Sequence, residues 1–408
     1  MPSRYHHLSR EQLAVLVPEL LLIGHLIDRA GMPYCLEAWG EEEMAQVAIE
    51  EWAAASPIYT RRMQRALAFE GDDVPTIFKG MQLDIGAPPQ FMDFRYSVTD
   101  RWHGAFHLDH CGALLDVEPM GAGMVEKMCH DIEDPTFDAT AVATNPRARM
   151  RPVHRPPRTP ADRHPHCAWT VEIDPDSPGA EPIPALAVNQ RSRAATLVLD
   201  GIDPGEDGQA DYSGPLVSDL DFGAFSHSAL VRMADEVALQ NHLLNLSFHL
   251  AVRKRAGDDE DLFRRVTLRQ FIGHAGVAAE RLHRAMGLAG TPEDAAYLIE
   301  LHPLMNPRPY VEFSRDGAAI TVSSSPAHED GGWLPLCTPD TPDALRAIVR
   351  AANPYLDVET AGTASEWTAR VVLTDTAARE AGEVAVTKFS KGAAFGFEPR
   401  RSLPLFVR

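Results

Sequence analysis

Phe91-Met-Asp-Phe-Arg-Tyr-Ser-Val98 is the stretch that decides the fold class. Aromatic and β-branched residues roughly alternate along it, the signature of a half-buried strand. Almost everything before it reads as helix. Ser9 with Glu11-Gln12 caps a helix over 8–30, and Leu13, Leu16, Val17 and Leu20 supply its apolar face. Gly31-Met-Pro33 should end that helix. A second helix is expected over Glu41–Ala55, with Met44, Val47, Ala48 and Trp52 on one side and glutamates on the other. Pro57 should start a third, Ile58–Phe69, and Val74–Leu83 a short fourth. Gly86-Ala-Pro-Pro89 marks the switch to strand. Helices followed by strands, not alternating with them, predict an α+β protein.

Downstream, His166-Cys-Ala-Trp-Thr-Val-Glu-Ile173 reads as a strand and Ala122–Cys129 as a short helix. Residues 176–225 are rich in Pro, Gly and Asp and read as a connector. Helices return over Ala229–Arg253; Asp258–Asp261 opens a further one, and Thr267–Met286 and Thr291-Pro292 to Leu301 continue the pattern. Strands are expected at Tyr310–Phe313, Ala319–Val322, Trp367–Leu373 and Val384–Phe389, with a helix at Pro342–Ala352.

This order suggests duplication. The expected fold is two related halves, each a helical N-terminal part followed by a small antiparallel sheet with a short helix. The halves are 1–175, carrying the site, and 226–408. Gly112–Pro119 lines up with Gly332–Pro339, Asp134-Pro135 with Asn353-Pro354, and Trp169-Thr170 with Trp367-Thr368. On that alignment Cys129, His130 and Asp131 face Ile348, Val349 and Arg350, so the second half is degenerate at the site.

Metal-ligand and nucleophile residue types concentrate between His103 and Asp138. His107, His110 and Cys111 come first, and Cys129, His130 and Asp131 follow. Thiolate, imidazole and carboxylate ligate zinc and iron, and the same groups build a Cys–His nucleophilic site. Thus His107, His110, Cys111, Cys129 and His130 are candidate metal ligands. Cys111, Cys129, His130 and Asp131 are candidate catalytic groups. Asp109 is placed to orient an imidazole. Cys35, Cys167 and Cys337 read as core.

Residues 145–166 hold six Arg and six Pro against one acid, Asp162, so the segment is a stiff basic strip. Arg149 and Arg151 alternate and would offer planar donors to a substrate anion. No GxGxxG and no GxSxG occurs.

The remaining composition bounds the function. The chain has 408 residues, 45% of them hydrophobic, and a net charge of −20, which fits neither general nucleic-acid binding nor an anionic membrane surface. Five cysteines without a CxxC fit a reducing compartment. The N-terminus shows no signal pattern, and the longest apolar run, near Leu20–Ile23, is interrupted by Gly24, His25 and Asp28. The expectation is a cytoplasmic protein with a small anionic substrate, no nucleic-acid or membrane partner, and homo-oligomerisation left open.

Residues 94–173 resemble the L-2-amino-thiazoline-4-carboxylic acid hydrolase-like family. The resemblance rests on Cys111 ahead of a turn to Gly121, on Cys129 before Asp131, and on an Arg-containing run leading to Cys167 and a closing strand. The sequence departs from it where Gly112, not Pro, follows Cys111, and where the carboxylate after Cys129 comes one place early. The resemblance implies an α+β fold and hydrolysis of a small heterocycle or amide. The function expected is a small-molecule hydrolase or lyase on a carboxylate-bearing substrate, through water on zinc or iron or a Cys thiolate. The alternatives are a non-enzymatic metal- or ligand-binding sensor or accessory protein, and a non-haem iron oxygenase.

Overall fold

The computed structural model of the protein describes residues 2–399 and the backbone of Phe406–Val407. Two copies of one unit are present. The first opens with α1 (Arg10–Ala66), which Gly40 (φ 85°, ψ 178°) divides into two helices. A glycine takes that conformation without the Cβ clash that would strain any other residue. Then come α2 (Val74–Met81), strands β1 (Met92–Val98) and β2 (His103–Cys111), helices α3 (Gly112–Val117), α4 (Ala122–Glu126) and α5 (Glu133–Val142), and strands β3 (Ala148–His154) and β4 (Cys167–Ile173). Helices α6 (Pro184–Asn189) and α7 (Arg193–Thr196) follow.

The second unit runs α8 (His227–Ala256), α9 (Glu260–Met286), α10 (Pro292–Leu301), β5 (Glu312–Asp316), β6 (Ala319–Ser323), α11 (Pro326–Asp330), α12 (Asp343–Ala352), β7 (Leu356–Thr363), β8 (Glu366–Leu373) and α13 (Gly382–Thr387). The two sheets have one topology. Strand order is β3-β4-β2-β1 in the first and β5-β6-β8-β7 in the second, all antiparallel; β9 (Phe406–Val407) adds a parallel edge beside β1.

Local details repeat along with the topology. Ser9 and Ser226 cap the first helices, and Gly40 and Gly257 end them. Glu19 and Glu236, and His25 and His242, fall at the same interval between those landmarks. Backbone N–H groups of Gly112 and Ala327 donate to the carbonyls of Phe91 and Tyr310 at 2.8 and 3.0 Å. Before the third strand of each unit, Asn145 and Asn353 accept from the N–H two residues on, both at 3.0 Å. Their amides donate to Asp72 and Gly290, each the residue just ahead of a short helix's cap.

These landmarks correct the sequence alignment. Gly112 is matched by Ala327 and not by Gly332, and the Asn353-Pro354 step by Asn145-Pro146 and not by Asp134-Pro135. The same count back from the two Asn-Pro steps sets Cys337 opposite Cys129. Three other expectations change. Pro33 and Pro57 both lie inside α1, and the helix breaks at Gly40 instead. Val384–Phe389 is not a strand, since α13 occupies Gly382–Thr387. Strands β3 and β7 were not anticipated: Arg and Pro dominate the first, and in the second only Leu356–Glu359 alternates before the run Thr360–Thr363 breaks the pattern.

The units interlock. Glu19 of the first accepts from Arg281 of the second at 2.8 Å, and Glu236 of the second accepts from Arg62 of the first at 2.8 Å. All four side chains are buried. The first helices of the units cross at Gly24, where a Cβ would lie 3.0 Å from the Asn241 amide. Each unit's tail also crosses over. Arg193 and Ala194 donate their backbone N–H groups to Asp330, while Lys391 N and Ser390 Oγ donate to Asp116, both at 2.6 Å. The segment after β4 is therefore the counterpart of the segment after β8, and each closes over the other unit. This reciprocity is that of an isologous interface within one chain. Among the described residues no helix is long and apolar enough to cross a membrane.

Candidate functional site

The polar heart of the molecule lies where α1 meets the first sheet. Asp28 and Arg29 are adjacent on α1, buried, and ion-paired at 2.8 Å. Arg29 Nε lies 3.4 Å from Asp116, whose two oxygens are already held by the second unit's Ser390 and Lys391. Glu51, on the second part of α1, is 0% exposed and neither of its oxygens has a hydrogen-bond partner. Glu133 opens α5 directly after a π-helical turn, Lys127–Ile132. Such a turn adds a residue to the helix and is common at functional sites. Here Met128, Ile132, Glu133, Thr136, Phe137 and Thr140 line one cavity.

That cavity measures about 70 Å³, and His25, Asp28, Arg29, Trp52 and Asp84 form its other walls. A second cavity, about 150 Å³, shares Asp28, Arg29, Met128 and Ile132 and is otherwise apolar. Met32, Met44, Met120 and Met124 line it, and Phe389 from the second unit closes it. Methionine's flexible, polarisable side chain lets such a surface fit varied shapes.

Unpaired polar atoms are dense here. Asp28 Oδ1, Asp84 Oδ2 and Glu133 Oε2 lack partners, and neither ring nitrogen of His25 makes a hydrogen bond of normal geometry. Buried polar groups are normally satisfied, because each orphan costs about 1–3 kcal/mol. Burial drives the protonation states. It pushes Glu133 up to about 8 against the pull of Arg29, and Glu51 well above the usual carboxylate range. Asp84 rises only to about 6, since the Gly86 N–H and the Tyr59 hydroxyl hold its other oxygen at 2.7 and 2.8 Å. Burial, with Arg29 adding to it, drops His25 well below its ordinary value, so its imidazole is neutral.

The sequence-derived candidates divide around this site. Cys111, Cys129 and Cys167 are buried beside Glu133 and act on one another electrostatically. Cys111 Sγ caps α3 by accepting from Leu114 N at 3.4 Å and contacts Met92 Sδ at 3.9 Å. Burial, reinforced by the Glu133 carboxyl, pushes Cys111 up to about 12 and raises the other two thiols further. They are thiols, not thiolates, at neutral pH.

The histidines lie elsewhere. His130 shares a 2.7 Å hydrogen bond with the Pro156 carbonyl, His107 sits 3.3 Å from Asp109, and the His110 ring packs between Phe91, Phe395 and His166. Asp131 is exposed and pairs with Lys127 at 2.7 Å. The five expected ligands thus do not converge, and among the described residues no three His, Cys, Asp or Glu side chains are grouped to hold a metal ion. Arg149 donates to the carbonyls of Pro146, Ala148 and Pro178, and Arg151 pairs with Asp138 at 3.0 Å. Both face outward on the edge strand β3, away from the cavities.

Sequence reasoning passed over His25, Asp28, Arg29, Glu51, Asp84, Asp116 and Glu133. One signal was readable. Asp28-Arg29 is an ionic dipeptide inside the apolar run Leu20–Ala30, where only a paired charge can be buried.

Comparison with family models, with curated proteins and with solved structures finds no match for the chain.

Proposed function

We propose that the protein is an enzyme of the hydrolase or lyase type that acts on a small molecule through buried carboxyl groups. Asp84 is the general base and Glu133 the general acid. Both line the same cavity, and their surroundings split their protonation about neutrality, one ionised and one neutral at pH 7. That separation is how one pocket runs acid and base chemistry together. Arg29 and the neutral His25 stand beside them to polarise a substrate carbonyl or imine. The neutral thiols shape the wall behind Glu133. No step depends on a metal.

The observation that carries the reading is internal to the molecule. Counted from the cap serines Ser9 and Ser226, Asp28 falls opposite Asn245, and counted back from the interlocking Arg62 and Arg281, Glu51 falls opposite Gln270. Gln270 is well bonded there: it donates to Ile27 O at 3.3 Å and accepts from Trp333 at 3.1 Å and from Asn245 at 3.4 Å. The fold is thus built with neutral amides in one copy, and the acids in the other answer to another requirement.

Turnover of a panel of small amides, lactams and cyclic imines tests this. Activity should rise with a limb near pH 6 and fall with a limb near pH 8, and Asp84→Asn and Glu133→Gln should each remove one limb. A substrate turned over equally by wild type and both variants would sink the proposal. Ligand binding without turnover anywhere in the panel would favour a sensor.

A further inference from the structure

We infer that the ligand is an organic cation, an amine whose ammonium group sits against Asp28 and whose apolar body fills the methionine-lined cavity. The inference rests on the same cavities as the proposed reaction, but concerns binding alone.

The charge count around the site leads to it. Arg29 is the one cation lining either cavity, and it is already engaged by Asp28 at 2.8 Å and Asp116 at 3.4 Å. Glu51, Asp84 and Glu133 add three more carboxyls, from the second part of α1, from the segment after α2 and from α5. Outside this ring Arg155 and Asp134 act on Glu133, and Lys391 acts on Asp116. An anionic ligand would find only Arg29, whose Nε makes no hydrogen bond but whose charge is already paired with two carboxylates, and would meet a surplus of acids. Unpaired carboxyl oxygens outnumber the unpaired donors of the site, Arg29 Nε and one N–H of His25. Asp28 Oδ1, at the boundary the two cavities share, makes no hydrogen bond of normal geometry, the Trp52 indole reaching toward this carboxyl from the cavity wall, and the residue is 4% exposed. Glu51, electrostatically coupled to it, has two oxygens without partners, one an acceptor and the other an O–H while the carboxyl is protonated. An ammonium group brings three N–H donors and one positive charge, the complement of that deficit.

The shape agrees with the charge. Asp28 stands at the end of a cavity of about 150 Å³ that is otherwise apolar, so a charged head and an apolar tail would be received in order. Trp52 lines the polar side of the boundary, and its indole reaches the Asp28 carboxyl. The second unit again supplies the contrast: Asn245 and Gln270 carry no charge and need no counter-ion.

The probe is a series of primary n-alkylamines, from ethylamine to hexylamine, titrated into the full chain by calorimetry and thermal shift. The matching alcohols, carboxylates and divalent metal chlorides form separate arms. Amines should bind, more tightly as the tail lengthens, while alcohols and carboxylates should not. Binding should release protons as Glu51 ionises, read as a heat that varies with the buffer's ionisation enthalpy. Asp28→Asn should weaken amine binding on the order of a hundredfold, the loss typical of removing one side of a buried charge pair, and Glu51→Gln should abolish the proton release. Both replacements already occur in the second unit, which guards against loss of folding. Binding of carboxylates in place of amines, of metal ions alone, or of amines equally by wild type and Asp28→Asn would overturn the inference. Amine binding by a protein that turns over nothing in the panel of amides, lactams and cyclic imines would leave it standing and remove the acid–base reading instead.

Discussion

The two units share a topology, helix caps, Asx turns and interlocking ion pairs, yet differ where their long helices meet the sheet. In the second, the buried polar positions hold Asn245 and Gln270, bonded to each other and, through Gln270, to Trp333, with Asn245 Oδ1 left without a partner. In the first they hold Asp28 and Glu51, with five carboxyls around one guanidinium and several oxygens unpaired. Since the amide version folds, the acidic version spends stability on something else, which is the pattern of functional sites.

The sharpest way to break this contrast is at Glu133, which has no acidic counterpart along α12 apart from Asp343 at its start. Glu133→Gln should lower kcat by about 10²–10⁴-fold, the range for loss of a general acid, with no matching loss of thermal stability. Steady-state kinetics beside a melting curve would check it. A fall in both together would mean that Glu133 is structural.

The interlocking arginines test whether the units are energetically symmetric. Removing one partner of a buried pair costs about 3–5 kcal/mol, because the other charge is left uncompensated. Arg281→Met should reach that range, since Arg281 is Glu19's one ion-pair partner among the described residues and also holds the carbonyls of Gly392 and Phe395. Arg62→Met should cost less, as Glu236 keeps Arg232 at 2.9 Å. Chemical denaturation of both variants gives the order. Equal losses would mean that Arg232 does not compensate.

Converting the first unit toward the second gives a smaller effect of opposite sign. Burial raises the Glu51 carboxyl above its unfolded value. The folded protein therefore holds the Glu51 proton more tightly, and stability declines as pH rises above the ordinary glutamate range, about 4.3. Glu51→Gln should remove that slope and stabilise the protein by about 1–3 kcal/mol at pH 7.5, with little change at pH 4. The difference between melting temperatures at the two pH values is the readout. A destabilised variant at pH 7.5 would show that Glu51 is ionised and paired.

How much of this could be read from residues alone depends on distance along the chain. The fold class was legible from Phe91–Val98 and from the helical text before it, because periodicity is local. The duplication was visible through Trp169 and Trp367, but its register was misread. Gly-Leu-Pro and Asp-Pro steps are turn chemistry that recurs anywhere. The true register lies in Ser9 and Ser226, Glu19 and Glu236, and Gly40 and Gly257, spread over whole helices. The site was displaced for a related reason. The rare types, Cys and His, drew attention to His103–Asp138, whereas burial of common types makes the pocket. Glu51 reads as one more glutamate on the polar side of a helix until the second unit packs over it. Glu133 came near to recognition only because it follows Cys129.

The smallest effect concerns the turns that fix the register. Asn145 and Asn353 each accept one backbone N–H and donate to one distant carbonyl. Each replaces a pair of solvent hydrogen bonds by internal ones, a net gain of about 1 kcal/mol per bond. Alanine at either site should therefore cost about 1–2 kcal/mol, and the two losses should be alike, because the turns are superimposable in their bonding. They should also add in the double variant, since the sites share no partner. Only the first-unit variant should alter activity, because Asn145 ties the strand entered from α5, which carries Glu133, back to Asp72. Urea titrations of both single variants and the double, with kcat measured alongside, decide it. An activity loss from Asn353→Ala as large as that from Asn145→Ala would mean that the second unit is no passive copy, and that its amide pocket also takes part in turnover.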